Sequence, residues 1–185
     1  MKLLAVSGSL REGSYNTALA ELACRLAPAG VEASVYDRLA ELPLYDADRD
    51  GEEAPESVRA FRKAVAEADA VLFVTPEYNG SVSGVLKNAV DWASRPPHGG
   101  AALWGKTVAV AGATTGQYGA IWAQQDLRRI LGIAGARVLP GELPVARAQE
   151  AFTPDGRLRD RRLEERLRDH VRALVDEAAA VPLAA

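Results

Sequence analysis

The sequence predicts a doubly wound α/β fold, a five-stranded parallel sheet with helices on both faces, built by the whole 185-residue chain as one domain. Three observations predict it. Five short strand-like segments alternate with five amphipathic helical segments, the order that right-handed crossover connections require. Two of the strands, Leu3-Leu4-Ala5-Val6 and Ala70-Val71-Leu72-Phe73-Val74, are continuous apolar runs, as strands read when both sheet faces are covered. The turns after strands one, three and four are rich in glycine and hydrogen-bonding side chains, and they fall where such sheets bind ligands, beyond the carboxyl ends of the strands where the winding reverses.

Strand one runs into Gly8-Ser9-Leu10-Arg11-Glu12-Gly13-Ser14-Tyr15-Asn16, which we read as a phosphate cradle. Ser14 is a good N-cap for a helix over 14–27 that carries Leu19, Leu22, Ala23 and Leu26 on one face and stops at Pro28 and Gly30. An anion fits at that helix start: the N-terminus is partially positive, Arg11 adds a planar cation, and Ser9, Ser14, Asn16 and Thr17 can donate hydrogen bonds. Tight strand-to-helix turns also collect Gly, Ser and Asn for backbone reasons alone, so the reading rests on the density of donors and the arginine. A third glycine at the GxGxxG spacing is missing, and so is GK followed by Ser or Thr. A phosphate monoester, such as that of a mononucleotide, is therefore expected rather than a pyrophosphate.

Strand two, Glu32–Tyr36, alternates apolar and polar residues like an edge strand. The segment 37–55 is irregular, either a lid or a solvated loop. A helix over 55–67 begins with Pro and acids and turns Val58, Phe61, Ala64 and Val65 inward. Strand three feeds Thr75-Pro76-Glu77-Tyr78-Asn79-Gly80-Ser81, read as a ligand-facing loop, with a plain strand-to-helix connection around a buried Tyr as the alternative. Ser83 then caps a helix over 83–94 containing Val85, Leu86, Ala89, Val90 and Trp92. A fourth strand over 107–111, the loop Gly112 to Gly119, a helix over 120–131 and a short strand over 137–139 follow. After the turn Pro154-Asp155-Gly156, a last helix carries Leu163, Leu167, Val171, Leu174, Val175 and Ala178 at helical spacing, with charges such as Glu164 and Arg168 paired on its solvated face.

Net charge of −3, with acids interleaving the arginines, gives no general attraction to nucleic acid or to an anionic membrane. The apolar start before Ser7 is too short for a signal-peptide core, and no run reaches membrane-spanning length, so the cytoplasm is the expected location. Cys24, the only cysteine, is expected as a small core residue. His98 and His170 are expected at the surface, which leaves a histidine triad or a metal centre without support and no side chain marked as catalytic.

One ligand touching all three loops would be flat and aromatic with a phosphate tail: the tail in the first loop, the ring between the second and third. Pro76 offers a rigid turn, Tyr78 an aromatic wall and Asn79 an amide for a heterocycle's edge. The motifs GSLREGSYN, PEYNGSVSGVLKNAVDW and TTGQYGA, in this order over residues 1–139, resemble the NADPH-dependent FMN reductase family of flavodoxin-like proteins, which includes quinone, azo-dye and chromate reductases. The resemblance implies strand order 2-1-3-4-5, noncovalent FMN, and NADPH or NADH as co-substrate. It implies Ser9, Arg11, Ser14, Tyr15, Asn16 and Thr17 on the phosphate, with Pro76, Glu77, Tyr78, Asn79 and Gly80 along the isoalloxazine. Thr114, Thr115 and Gly116 take third-loop positions where a Ser is more usual, and the family's following Gly-Gly is here Gly119-Ala120. Ping-pong hydride transfer to a small-molecule acceptor (quinone-like, flavin, azo or metal oxyanion) is implied, with a flavodoxin-type electron carrier as the alternative. The modest negative charge and Arg11 in the phosphate loop argue against a carrier. A homodimer or homotetramer is implied too, packed through the 83–94 helix with Val85, Val90, Trp92 and Arg95. Trp104, Tyr118 and Trp122 are either further contacts of that kind or core residues.

Overall fold

The computed structural model describes residues 1–51, 53–96 and 100–181. Its sheet is built on β1 (Lys2–Ser7), β2 (Glu32–Tyr36) and β3 (Ala70–Val74), joined by β6 (Thr107–Ala113) and β7 (Arg137–Val138) in the order β2-β1-β3-β6-β7, all parallel. This is the predicted 2-1-3-4-5 order. The fifth position differs from expectation, because it is shared by β7 and a further strand, β8 (Pro144–Val145), which pairs with Gly112 and Ala113 at the far end of β6. Pro140 and Gly141 interrupt the strand between them. The buried Gln124 fills the break, its Oε1 accepting from Leu143 N at 2.9 Å.

Side-chain alternation along the strands makes two cores. Leu3, Ala5, Leu72 and Val74 meet α1 (Tyr15–Arg25) and α6 (Arg161–Ala180) through Leu19, Leu22, Leu167, Val171 and Leu174. Leu4, Val6, Val71 and Phe73 meet α2 (Glu56–Glu67), α3 (Gly84–Ala93) and α4 (Ile121–Ile133) through Phe61, Leu86, Val90, Leu127 and Leu131. Both cores are dry. Lys106 is also fully buried, and its ammonium donates to the carbonyls of Ala66 and Ala68, satisfying the C-terminal end of α2. Burial lowers its pKa.

Within the largely exposed 37–55 segment, residues 43–50 form a strap fastened to α2 and α3. Pro43 O accepts from Asn88 Nδ2 at 2.9 Å and from Trp92 Nε1 at 2.8 Å, and Asn88 Oδ1 accepts from Tyr45 N at 2.8 Å. Asp50 pairs with Arg62 at 2.7 Å.

On α6, Arg168 approaches Glu164 at 4.0 Å, but Glu164 is held mainly by Arg157, which reaches it from the preceding loop. The expectation for His170 is corrected. It is half-buried, with Nε2 donating to Val110 O at 3.0 Å. Burial and the nearby Arg166 hold its imidazole below the usual range, against the opposing effect of that hydrogen bond. The unfolded chain therefore binds this proton more readily than the folded one, so the contribution of His170 to stability is complete above about pH 6.5 and is lost as pH falls below it. Urea titrations at pH 7.5 and 5.5 are expected to show a lower midpoint at the acid pH and a smaller difference in His170→Gln. An equal difference in both proteins would contradict this. His98 lies outside the described residues. Cys24 is partly buried and its thiol is pushed up to about 11, mainly by burial, as expected of an inert packing residue.

Candidate active site

The three predicted loops meet at the carboxyl end of the sheet, and hydrogen bonds between them hold the meeting place. Gly8 N donates to Val74 O at 2.8 Å, and Thr75 N to Ala111 O at 2.9 Å, so each loop leaves its strand still paired to the next. Ser83 Oγ donates to Gly8 O at 2.7 Å while accepting from Leu86 N at 3.4 Å. The contact is close: a Cβ on Gly8 would stand 2.9 Å from Leu86 Cβ and from Ser83 Oγ, so only glycine lets the first loop lie on α3.

Within the first loop, Ser14 caps α1 by accepting from Asn16 N at 3.2 Å. Ser9 Oγ lies 3.4 Å from Arg11 N. Among the described residues, the amides of Ser9, Leu10, Glu12, Gly13 and Ser14 donate to no protein acceptor. Arg11 is exposed and meets no carboxylate; its Nη1 reaches Glu12 O at 3.2 Å and its Cζ stands 5.9 Å above the Tyr15 ring. A run of unused amides with a guanidinium that meets no carboxylate at a helix start suits a phosphate group. Hollows of about 370 and 470 Å³ flank the loop, both bordered by Arg11 and Thr17.

Three other first-loop residues have side chains engaged elsewhere. The buried Asn16 spans β6: its Nδ2 donates to Ala113 O at 3.0 Å and its Oδ1 accepts from Ala113 N at 2.9 Å. It ties loop one to loop three, and its side chain is not free for a phosphate. Thr17 Oγ1 pairs with Ser7 Oγ at 3.0 Å. Tyr15 stacks on Phe152, centroids 5.7 Å apart.

The second loop is more ordered than a connection. Glu77–Tyr78 (β4) and Ser81–Val82 (β5) form an antiparallel hairpin whose turn residues, Asn79 at φ 54 and Gly80 at φ 73, have the positive angles of a type I′ turn. The Asn-Gly pair signals this turn in the sequence. Pro76 is buried at its base, while Tyr78, Asn79 and Gly80 are exposed at the tip. The Glu77 carboxylate accepts from Ala123 N at 3.1 Å. It caps α4, whose own N-cap, Ala120, has no side chain able to do so.

The third loop is held from outside by residues that sequence reasoning missed. Thr114 N donates to Val145 O, Ala148 N to Thr114 O, and Arg147 N to Gly116 O, at 2.9–3.0 Å. Thr115 and Gly116 are exposed, and Gly116 N reaches Thr114 Oγ1 at 3.3 Å. Tyr118 and Trp122 are 54% and 47% exposed, and Trp104 is 47% exposed, so the core reading of these three is corrected. Trp92 is corrected in the opposite sense, being fully buried rather than at an outer face. No cluster of metal-binding side chains occurs among the described residues.

Comparison with known proteins agrees with this geometry. The family described as NADPH-dependent FMN reductase matches residues 1–150. An NAD(P)H-dependent FMN reductase of Pseudomonas aeruginosa is 42% identical over 175 residues, 94% of this chain and 93% of its own. A 2-hydroxy-1,4-benzoquinone reductase of a Burkholderia species is 46% identical over 131 residues, 70% and 69% of the two chains. Among solved structures, the flavoenzyme NAD(P)H:(acceptor) oxidoreductase of Paracoccus denitrificans superposes with a TM-score of 0.83 at 36% identity, covering 97% of each chain. With three loops meeting at the carboxyl end of the sheet where its winding reverses, and a family match over most of its length, the chain belongs to the NADPH-dependent FMN reductases.

Proposed function

We propose that this protein is a two-electron reductase that oxidises NADPH or NADH and reduces a quinone-like acceptor by a ping-pong cycle. The observation that carries the reading is the first loop, with its unused amides and a guanidinium that meets no carboxylate, tied to the second loop through Ser83 and to the third through Asn16. FMN supplies the redox chemistry when bound, taking a hydride from the nucleotide and passing two electrons on. Everything else is positioning by the chain. The amides of Ser9, Leu10, Glu12, Gly13 and Ser14, the hydroxyls of Ser9 and Ser14, and the Arg11 guanidinium receive the phosphate, while Asn16 and Thr17 keep the loop in shape. Pro76, Tyr78, Asn79 and Gly80 border the flavin ring on one side, and Thr114, Thr115 and Gly116 on the other. Glu77 holds the hairpin against α4.

The quinone class is favoured over flavin, azo or metal-oxyanion acceptors because relatives covering most of the chain are named for quinones. The purified protein is expected to take up one FMN, oxidise NAD(P)H, and give parallel double-reciprocal lines with a benzoquinone. Failure to hold FMN at saturating supply defeats the reading. Arg11→Ala is expected to weaken FMN binding about 10- to 100-fold, the value of a charge-assisted hydrogen bond to phosphate, and Arg11→Lys to recover part of it. Fluorescence titration with FMN measures both.

A second copy is proposed to pack on the groove between α3 and α4, where Ile133 is 76% exposed beside Val90 and Ile130. The Lys87–Asp91 and Arg129–Asp126 pairs give the groove both signs of charge, as a self-complementary face needs. Sedimentation as monomer alone would remove this part. Among the described residues no helix is long and apolar enough to cross a membrane. A chain that consumes reduced pyridine nucleotide works where that nucleotide is made, so the cytoplasm is its proposed location.

A further inference from the structure

The outer side of the third loop carries groups that the cofactor cradle leaves unused. Tyr118 and Trp122, both about half exposed, hold their ring centroids 4.9 Å apart at an interplanar angle of 60°. Segment 116–119 runs along segment 144–147: Arg147 N donates to Gly116 O at 2.9 Å, and a Cβ on Gly119 would stand 2.6 Å from Pro144 Cβ. The Arg147 backbone is thereby anchored to the third loop two positions before Tyr118. The three loops and this segment hold two cations, Arg11 and Arg147. Arg11 belongs to the phosphate cradle. Arg147 is exposed, and among the described residues its guanidinium meets no acid and no acceptor.

Two large rings facing water invite a flat partner, and an unpaired guanidinium on the segment packed against their loop invites an anion, phosphate above all. A planar base joined to phosphate satisfies both at once. The two reactants that must share the flavin differ in this respect: a quinone is uncharged, whereas the pyridine dinucleotide ends in an adenosine phosphate remote from its reacting ring. We propose that Tyr118, Trp122 and Arg147 form the subsite for the adenosine half of NAD(P)H, the base stacking on the aromatic pair and the guanidinium taking a phosphate. The subsite lets the cleft grip one reactant by its inert end while leaving the flavin face open to the other. The proposal rests on the reading of the three-loop mouth as the site of nucleotide oxidation.

The test uses the FMN-loaded full chain with Trp122→Ala, Trp122→Phe and Arg147→Ala. Trp122→Ala is expected to raise the KM for NADPH about tenfold with kcat little changed, the scale of one lost base–aromatic stack, and Trp122→Phe to recover most of it. The loss is confined to the dinucleotide: with reduced nicotinamide mononucleotide, which lacks the adenosine half, KM shifts by less than about twofold. In the wild type, 5′-AMP and 2′,5′-ADP are expected to quench tryptophan fluorescence. Arg147→Ala is expected to weaken either 2′,5′-ADP more than 5′-AMP, which assigns the guanidinium to the 2′-phosphate, or both alike, which assigns it to the 5′-phosphate. Unchanged binding of both adenosine probes in Trp122→Ala and Arg147→Ala overturns the proposal. So does a Trp122→Ala variant that only turns a dimer into monomer, because the rings then serve a second copy. Flavin absorbance separates the two levels: a wild type that holds no FMN defeats the functional reading, whereas the quenching by adenosine probes is read with or without flavin.

Discussion

Asn16→Ala is expected to lower the stability of the folded chain by about 2–4 kcal/mol and to weaken FMN binding with it. The side chain is buried and meets both backbone polar groups of Ala113, the last residue of β6. Truncation leaves a donor and an acceptor without partners in a place water does not reach, each costing about 1–3 kcal/mol. The loss is also strategic. Ala113 is the point from which the third loop departs, and Asn16 lies in the first turn of the helix behind the phosphate loop, so one amide sets the distance between the two. Asn16→Asp keeps an acceptor for Ala113 N but turns a carboxylate oxygen toward Ala113 O, and it is expected to be at least as damaging. Urea denaturation and FMN titration of the three proteins check this. An Asn16→Ala variant within about 0.5 kcal/mol of wild type would show that the clamp is dispensable.

Why this residue looked like a phosphate ligand is instructive. A short polar side chain in the first turn of a helix after a glycine-rich loop has two uses, reaching outward to an anion or inward to a neighbouring strand, and local sequence carries no sign of which strand will stand beside it. The same limit explains Glu77 and β8. Glu77 caps a helix more than forty residues away, and Pro144–Val145 is too short to read as a strand until β6 offers it an edge.

Features settled by local chemistry were legible. The apolar runs of β1 and β3 placed them centrally, and Ser14 and Ser83 are the caps of α1 and α3. Asn79-Gly80 carries a hairpin signal strong enough to name the turn, although the loop is read from sequence for its ligand-facing side chains and not as a hairpin. His170 also left a trace: it falls three residues after Leu167 and next to Val171, on the edge of the apolar stripe of α6, where a side chain is half covered rather than fully solvated. The exposure of Tyr118 and Trp122 left none. A ring near the start of a helix faces core or solvent according to how the helix is set on the sheet, and here the set is decided at long range, by Glu77 and by Gln124, whose Oε1 accepts from Leu143 N at 2.9 Å.

Trp92→Ala is expected to be the most destabilising single change considered, at about 3–5 kcal/mol, the range for truncating a large, fully buried aromatic side chain. The indole joins α2, α3 and the strap. It packs with Ala54 and Val58, meets Tyr45 edge-on at 4.9 Å, lies under the Arg62 guanidinium at 5.6 Å, and donates to Pro43 O at 2.8 Å. Trp92→Phe separates these contributions, because it keeps much of the apolar contact and removes the donor. It is expected to lose about 1–2 kcal/mol, since Asn88 Nδ2 still serves Pro43 O. The two substitutions should also differ in where the chain opens. With alanine, the strap loses the surface against which Tyr45 and Pro43 rest, so limited proteolysis should cut within 43–51 under conditions where the phenylalanine variant stays intact. The first loop approaches α3 through Gly8 and Ser83, at the opposite end of that helix from Trp92. FMN affinity measured well below the unfolding transition is therefore expected to stay within about threefold of wild type in Trp92→Phe, a shift of less than 1 kcal/mol. If the strap stays protected in Trp92→Ala, or if flavin affinity in Trp92→Phe falls by more than tenfold, then Trp92 is not confined to fastening the strap and the active-site loops depend on it.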